Sequence, residues 1–191
     1  MAEDRNAMSP DNDDLARARA AWTYRGKKRP PFAVAPEPGQ ESVWDYPRPP
    51  AIVPSNALVE VYAGNRRLVR TRDLIRVLET GSPPTIYLPL AELDEAWLRP
   101  SRQRSFCEWK GPARYYHVQG DQGLIENAIW TYPEPLAGAE VLADRFSCYP
   151  SKLRCVLDGE TVRAQAGGFY GGWITSRIVG PWKGEPGTGH Y

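Results

Sequence analysis

The side chains with the most chemical potential crowd into one stretch, Cys107 to Pro135. There Trp109, Tyr115, Tyr116, Trp130 and Tyr132 accompany one lysine, one cysteine and one asparagine. Lys110 stands between Trp109 and Gly111. Burial beside aromatic walls lowers a lysine pKa and makes it a base or an amine nucleophile. The same residue can hold a carboxylate or phosphate as a fixed charge, or lie on the surface with its stem across a ring. Cys107 precedes Lys110 by three residues. A cationic neighbour favours a thiolate, but in an extended segment positions 107 and 110 point to opposite faces. Unless a turn intervenes, Cys107 reads as a buried structural cysteine sharing a face with Trp109.

Further residues can complete such a site. Glu79 closes a strand-like segment before Thr80-Gly81. It can orient Lys110, act as a general base, or pair with a nearby arginine. Asn127 can bind a ligand carbonyl or satisfy backbone groups at a sheet edge. Tyr87, Tyr115, Trp130 and Tyr132 can line an apolar pocket with hydroxyl and indole handles. Rings around a cavity also make a cation cage, and ordinary core packing is the competing role. His117 and His190 are too isolated to form a metal site or a triad.

These residues need a scaffold. A chain of 191 residues, 41% hydrophobic and 25% charged, suits one domain or two small ones. Its 19 prolines and 17 glycines favour many short strands over long helices. A net charge of +1 argues against life on nucleic acid, and the RGKKR run at Arg25–Arg29 reads as solvated surface. Three cysteines without a CxxC pair, Cys107, Cys148 and Cys155, argue against a disulfide framework and a four-cysteine zinc site. A reducing, cytoplasmic setting fits them. No apolar run approaches the ~18 residues of a membrane span.

The pattern predicts a polar, disordered tail over residues 1–12, then a short helix over Asp14–Trp22 and an extended arm over 25–50. Hairpins are predicted around Ala63-Gly64-Asn65 and Asp158-Gly159. Strands are expected over Leu74–Leu78, Thr85–Leu88, Phe106–Trp109, Ala113–Gln119 and Ile125–Tyr132. A two-turn helix is expected over Leu90–Leu98, with Leu90, Leu93 and Trp97 on one face, and weak helix over Leu136–Asp144. Two words recur in order: WxYPxP at Trp44 and Trp130, and WKG at Trp109 and Trp182. The spacing between them is 65 residues in the first half and 52 in the second. Duplication gives a helix and arm over 13–50, a complete domain over 51–135, and a partial copy with a tail over 136–191 packed on the first. Chance recurrence of common residues is the alternative.

With those words in place the chain resembles the DUF427 family of bacterial and fungal proteins. The resemblance rests on Arg76-Val77-Leu78-Glu79-Thr80, on Tyr87-Leu88-Pro89, on Cys107-x-Trp109-Lys110-Gly111-x-Ala113-x-Tyr115, and on Asn127-Ala128-x-Trp130-x-Tyr132-Pro133-x-Pro135. It extends to the arm at Glu41–Pro50 and the tail at Gly167–Gly184. It implies a mainly β fold of coiled antiparallel sheets with short helices and an extended N-terminal arm. That fold is similar to the Mss4-like or β-tent arrangement of methionine sulfoxide reductase B and the cereblon ligand-binding domain. Those relatives hold zinc on two CxxC knuckles; this chain has neither, so zinc is not carried over. The family's nucleotidyltransferase-like label finds no support in the residues. The one dense acidic cluster is Asp11-Asn12-Asp13-Asp14, and no glycine-rich loop precedes a clear helix.

The expectation is a small molecule bound in an aromatic-lined cleft, with metal-independent acid–base or lysine/cysteine chemistry. Lys110, Glu79 and Cys107 are the catalytic candidates. Tyr87, Trp109, Tyr115, Asn127, Trp130 and Tyr132 are the ligand-binding ones. No cofactor, metal, nucleic acid or membrane is expected, and a homodimer stays open. The rival is a non-catalytic module that reads a peptide or modified side chain through the same aromatic pocket.

Overall fold

Alternation of apolar and polar residues builds most of this protein. The computed structural model describes residues 10–188. The expected tail over 1–12 falls mostly outside the described residues, as does His190.

The helix α1 runs Asn12–Ala20, two residues earlier than expected. Asp11 takes the N-cap and accepts from the Asp14 amide at 2.8 Å, which places Asp13 and Asp14 in the first turn, where the helix dipole favours them. The strands follow as β1 (Glu41–Ser42), β2 (Ala51–Ser55), β3 (Val59–Ala63), β4 (Arg66–Thr71), β5 (Leu74–Leu78) and β6 (Thr85–Pro89). Then come β7 (Leu98–Cys107), β8 (Gly111–Gly120), β9 (Gly123–Thr131), β10 (Arg145–Cys148), β11 (Arg154–Leu157) and β12 (Glu160–Thr161). Three short strands close the chain, β13 (Arg163–Ala164), β14 (Trp173–Ile174) and β15 (Ile178–Val179).

The fold is mainly β, as expected. Seven strands form one sheet in the order β2-β5-β6-β10-β9-β8-β7, and four form a second in the order β12-β11-β3-β4. Every pairing in these two sheets is antiparallel. Both expected hairpins are present, Ala63 facing Arg66 and Leu157 facing Glu160 across two-residue turns. Asp158 and Gly159 both take positive φ, as a type I′ turn requires.

Period-two alternation gives the large sheet two different faces. Ile86, Leu88, Ile129 and Phe146 pack with Val59, Val61 and Cys155 of the small sheet, forming the main core. Tyr87, Tyr115, Trp130 and Tyr132 belong to a second cluster on the other face. A third cluster joins Val43, Trp44 and Tyr46 of the arm to Ile174, Ile178 and Trp182 of the tail. There β1 and β15 pair in parallel, and the Trp44 indole donates to the Pro181 carbonyl at 2.7 Å.

The helix expected over Leu90–Leu98 is two 3-10 turns instead, Leu90–Glu92 and Glu95–Trp97. Leu93 between them is extended, at φ −101° and ψ 123°. That break lets Leu93 enter the main core while Leu90 and Trp97 pack at its edge. The Asp94 carboxylate then caps the second turn at 2.9 Å. The strand expected at Phe106–Trp109 begins earlier, at Leu98, and ends at Cys107. Its polar run of arginines disguises it, because this strand lies at the sheet edge and is exposed at Arg99, Pro100, Arg102, Gln103 and Arg104. Only the 3-10 turn Glu140–Leu142 forms in the weakly helical segment.

Candidate functional site

A cavity of about 230 Å³ opens on the aromatic face of the large sheet. Five strands of the large sheet build its floor. Val77 comes from β5, Thr85 and Tyr87 from β6, Trp130 from β9, Tyr115 from β8, and Ser105 and Cys107 from β7. Tyr115 lies directly opposite Trp130 across the β8–β9 ladder. The Ser105 and Tyr115 hydroxyls are 2.7 Å apart. Tyr87 and Trp130 meet edge to face at 6.4 Å, and Trp130 lies 4.5 Å from Tyr149.

The two chain ends supply the cover. Trp22, just past α1, lines the cavity, and its indole donates to the Glu108 carboxylate at 2.8 Å. Arg19 of α1 donates to the Glu108 carbonyl at 2.8 Å and stacks over Trp109 at 5.1 Å. From the tail come Gln165, Phe169, Tyr170, Gly171 and Lys183. Gln165 clamps that segment, donating to the Lys183 carbonyl at 2.8 Å and accepting from the Gly172 amide at 3.1 Å. Gly171 lies flat on the Trp130 indole, where a Cβ would overlap Cη2 and reach within 3.0 Å of Cζ2.

Seven of the nine residues singled out from sequence line this cavity: Glu79, Tyr87, Cys107, Lys110, Tyr115, Trp130 and Tyr132. Cys107 and Lys110 meet because Glu108–Lys110 form a turn after β7, so the opposite-face geometry of a continuous strand does not apply. Cys107 is half-buried at the cavity wall, which corrects the reading of it as a buried structural thiol. Trp109 and Asn127 do not line it. Trp109 turns outward to a neighbouring cavity of about 290 Å³ lined also by Arg19, Pro49 and Ile52. Asn127 sits where the β8–β9 register breaks, at φ 47°, with its amide donating to His117 Nδ1 at 3.1 Å. A bulge of this kind carries its side chain off the expected face.

Sequence reasoning missed Lys183, the lysine of the second WKG word. The recurrence itself was the signal. The two WKG glycines take the same positive φ, Gly111 at 100° and Gly184 at 101°. Each is pressed against another chain segment: a Cβ on Gly111 would meet the Glu134 carbonyl at 3.2 Å, and one on Gly184 would overlap the Ala166 carbonyl. Both lysines then enter the same cavity.

Their environments differ. Burial acting alone would lower the Lys110 pKa, but electrostatic interaction with Cys107, Tyr87 and Glu79 outweighs it and holds it above the ordinary value. This reverses the expectation of a lysine weakened by its aromatic walls. That behaviour belongs to Lys183, which burial pushes down to about 8 against the opposing pull of Glu79. Lys183 is 6% exposed. Its ammonium lies 3.6 Å over the Trp22 ring and 4.0 Å from the Glu79 carboxylate.

Glu79 also meets Arg48, whose side chain is 0% exposed, at 2.9 Å. Arg48 donates further to the Tyr24 and Thr80 carbonyls at 3.1 and 2.6 Å and stacks on Trp22 at 4.1 Å. The arginine pairing foreseen for Glu79 therefore exists, and it ties the arm to the cavity rim. Burial raises Tyr87 to about 12 and carries Tyr132 and Tyr149 well above the ordinary range. All three phenols remain neutral donors at physiological pH.

Among the described residues no group of three or more His, Cys, Asp or Glu side chains could hold a metal ion. Among them, too, no helix is long and apolar enough to cross a membrane. A model of the family described as NTP_transf_9, a domain of unknown function (DUF427), matches residues 51–159. That span runs from β2 through the turn after β11. Comparison with curated proteins gives no match.

Proposed function

The chain belongs to the DUF427 family, and from that premise we propose that it binds a small organic anion in the aromatic cavity. The observation that carries this reading is the convergence of Lys110, Glu79 and Cys107 with Tyr87, Tyr115, Trp130 and Tyr132 on one 230 Å³ space. Convergent polar groups in an aromatic pocket are what ligand sites present. Lys110 supplies a fixed positive charge for a carboxylate or phosphate. Tyr87 and Trp130 form walls against a planar group, and the tyrosine hydroxyls donate to ligand oxygens.

The cation-cage form of the rival reading fits less well. Two lysines line the space, and of the two carboxylates there Glu79 is paired with Arg48, which leaves Glu108 alone to offset them. An incoming cation meets like charge, and an anion meets opposite charge. The Mss4-like resemblance and the duplication enter the proposal as well. Two WKG words with the same glycine φ, each delivering its lysine to a shared cavity, support a duplicated ancestor.

The test is a thermal-shift and calorimetric screen of benzoate, phenylacetate and phenylpyruvate against their neutral amides. Acids should raise the melting temperature of the natural protein and fail with Lys110→Met, while that variant still unfolds cooperatively. Equal binding of amides and acids would remove Lys110 from the role given to it.

A further inference from the structure

We propose that Lys183 is the reactive amine of this cavity and captures a carbonyl compound bearing an anionic group, such as a 2-oxo acid, as a reversible imine. This rests on the anion-binding reading above and adds a substrate class to it.

Position comes first. Lys183 Nζ faces the same space as Lys110, behind the Trp22 indole, and its side chain is almost fully shielded from bulk water. Among the described residues it has no hydrogen-bond acceptor within reach, since the Glu79 oxygen lies at 4.0 Å and is engaged by Arg48. An ammonium held without an acceptor against apolar walls is disfavoured, and the neutral amine gains. With a pKa of about 8, a far larger share of Lys183 is unprotonated near neutrality than of an ordinary lysine. The ratio is on the order of 100-fold by the difference of the two pKa values.

Lys110 completes the pair. One lysine stays charged and the other readily gives up its proton, within one cavity. Two like groups pushed apart by their surroundings take different tasks. Lys110 holds the carboxylate, and Lys183 offers a lone pair to the adjacent carbonyl carbon.

The step balances without any added reagent. The neutral Nζ attacks the carbonyl carbon, and the carbonyl π pair moves to oxygen. Nitrogen loses one proton and oxygen gains one, giving a carbinolamine. The hydroxyl then takes a second proton and leaves as water while the nitrogen lone pair closes the C=N bond, and the iminium nitrogen gives up its remaining proton, which replaces the one consumed. The sum is amine plus carbonyl to imine plus water. Solvent carries the proton between nitrogen and oxygen, and the Glu79 carboxylate, 4.0 Å from Nζ, steadies the positive charge that forms on nitrogen.

The chain has five lysines, and Lys27, Lys28 and Lys152 are exposed, so the protein contains its own controls. The unmodified full chain is incubated with phenylpyruvate or pyruvate and sodium cyanoborohydride at neutral pH. Adducts are then located by peptide mass spectrometry. The expected result is reduced adduct on Lys183 at least ~10-fold above the three exposed lysines, suppressed by excess phenyllactate, which keeps the carboxylate but lacks the ketone. Adduct spread evenly over the lysines, or concentrated on Lys110, overturns the inference. If phenylpyruvate raises the melting temperature but leaves Lys183 unmodified, the imine fails and the anion site stands. If it does neither, both fail together.

Discussion

Replacing Arg48 by methionine tests how the arm, the cavity and the tail hold together. The guanidinium is wholly buried and meets four groups: the Glu79 carboxylate at 2.9 Å, the Tyr24 and Thr80 carbonyls at 3.1 and 2.6 Å, and the Trp22 ring at 4.1 Å. Removing one partner of a buried ion pair costs about 3–5 kcal/mol, because the other charge is left uncompensated. Two carbonyls lose donors as well, at about 1–3 kcal/mol for a buried group left unsatisfied. These losses overlap. Two features offset them: methionine keeps apolar contact with Trp22, and Lys183 stands 4.0 Å from Glu79, ready to take up its charge. The expected net loss is about 3–5 kcal/mol, roughly 6–20 °C in melting temperature for a chain of this size. Urea unfolding followed by tryptophan fluorescence measures it, with an unchanged slope showing that two-state behaviour survives. A double-mutant cycle with Glu79→Gln isolates the pair, and a coupling above ~1 kcal/mol is expected. A total loss below ~1 kcal/mol would show that Arg48 does not anchor the arm.

Three other perturbations have definite outcomes. Gly171→Ala drives a methyl group into the Trp130 indole. It should cost about 1–3 kcal/mol and shift tryptophan emission; an unchanged melting curve would mean the tail does not rest on the cavity wall. Trp130→Ala removes a ring that is 6% exposed and packed on Tyr87 and Tyr149. A loss of ~3–5 kcal/mol by chemical denaturation is expected, and a near-neutral result would place the ring outside the core. Lys183, faced by Glu79, Arg48 and Glu108, makes stability depend on pH. Its folded pKa, about 8, lies below the ordinary 10.5, so the unfolded chain binds more protons between those values and stability rises with pH there. The stability of the natural protein minus that of Lys183→Met should therefore climb from pH 7 to 9.5, by up to ~2 kcal/mol. Taking the difference cancels the tyrosine and cysteine titrations common to both, and a flat difference would contradict the lowered pKa.

Local patterns carried far. Strand signals placed Tyr87, Tyr115 and Trp130 on strands, and a period of two sets alternate rings on one face, so an aromatic cluster there was legible in the sequence. What alternation cannot report is where a strand stops. Cys107 and Lys110 meet because β7 ends at Cys107 and a three-residue turn follows. Asn127 leaves the expected face because of a bulge, which needs two strands to define it. Lys183 and Trp22 lie 161 residues apart in sequence, yet Nζ stands 3.6 Å over the indole ring. No window along the chain contains both. The opposite shifts of the two lysines depend on which charges tertiary structure sets beside each, so one WKG word could not be told from the other by sequence.

The most direct measurement is a crystal of the full chain soaked with 4-bromophenylacetate, read by bromine anomalous scattering. The bromine peak should lie among Tyr87, Trp130 and Tyr149, with the carboxylate on the Lys110 ammonium. A saturated crystal with the bromine elsewhere on the surface and the aromatic cavity empty would contradict the binding site proposed for this protein.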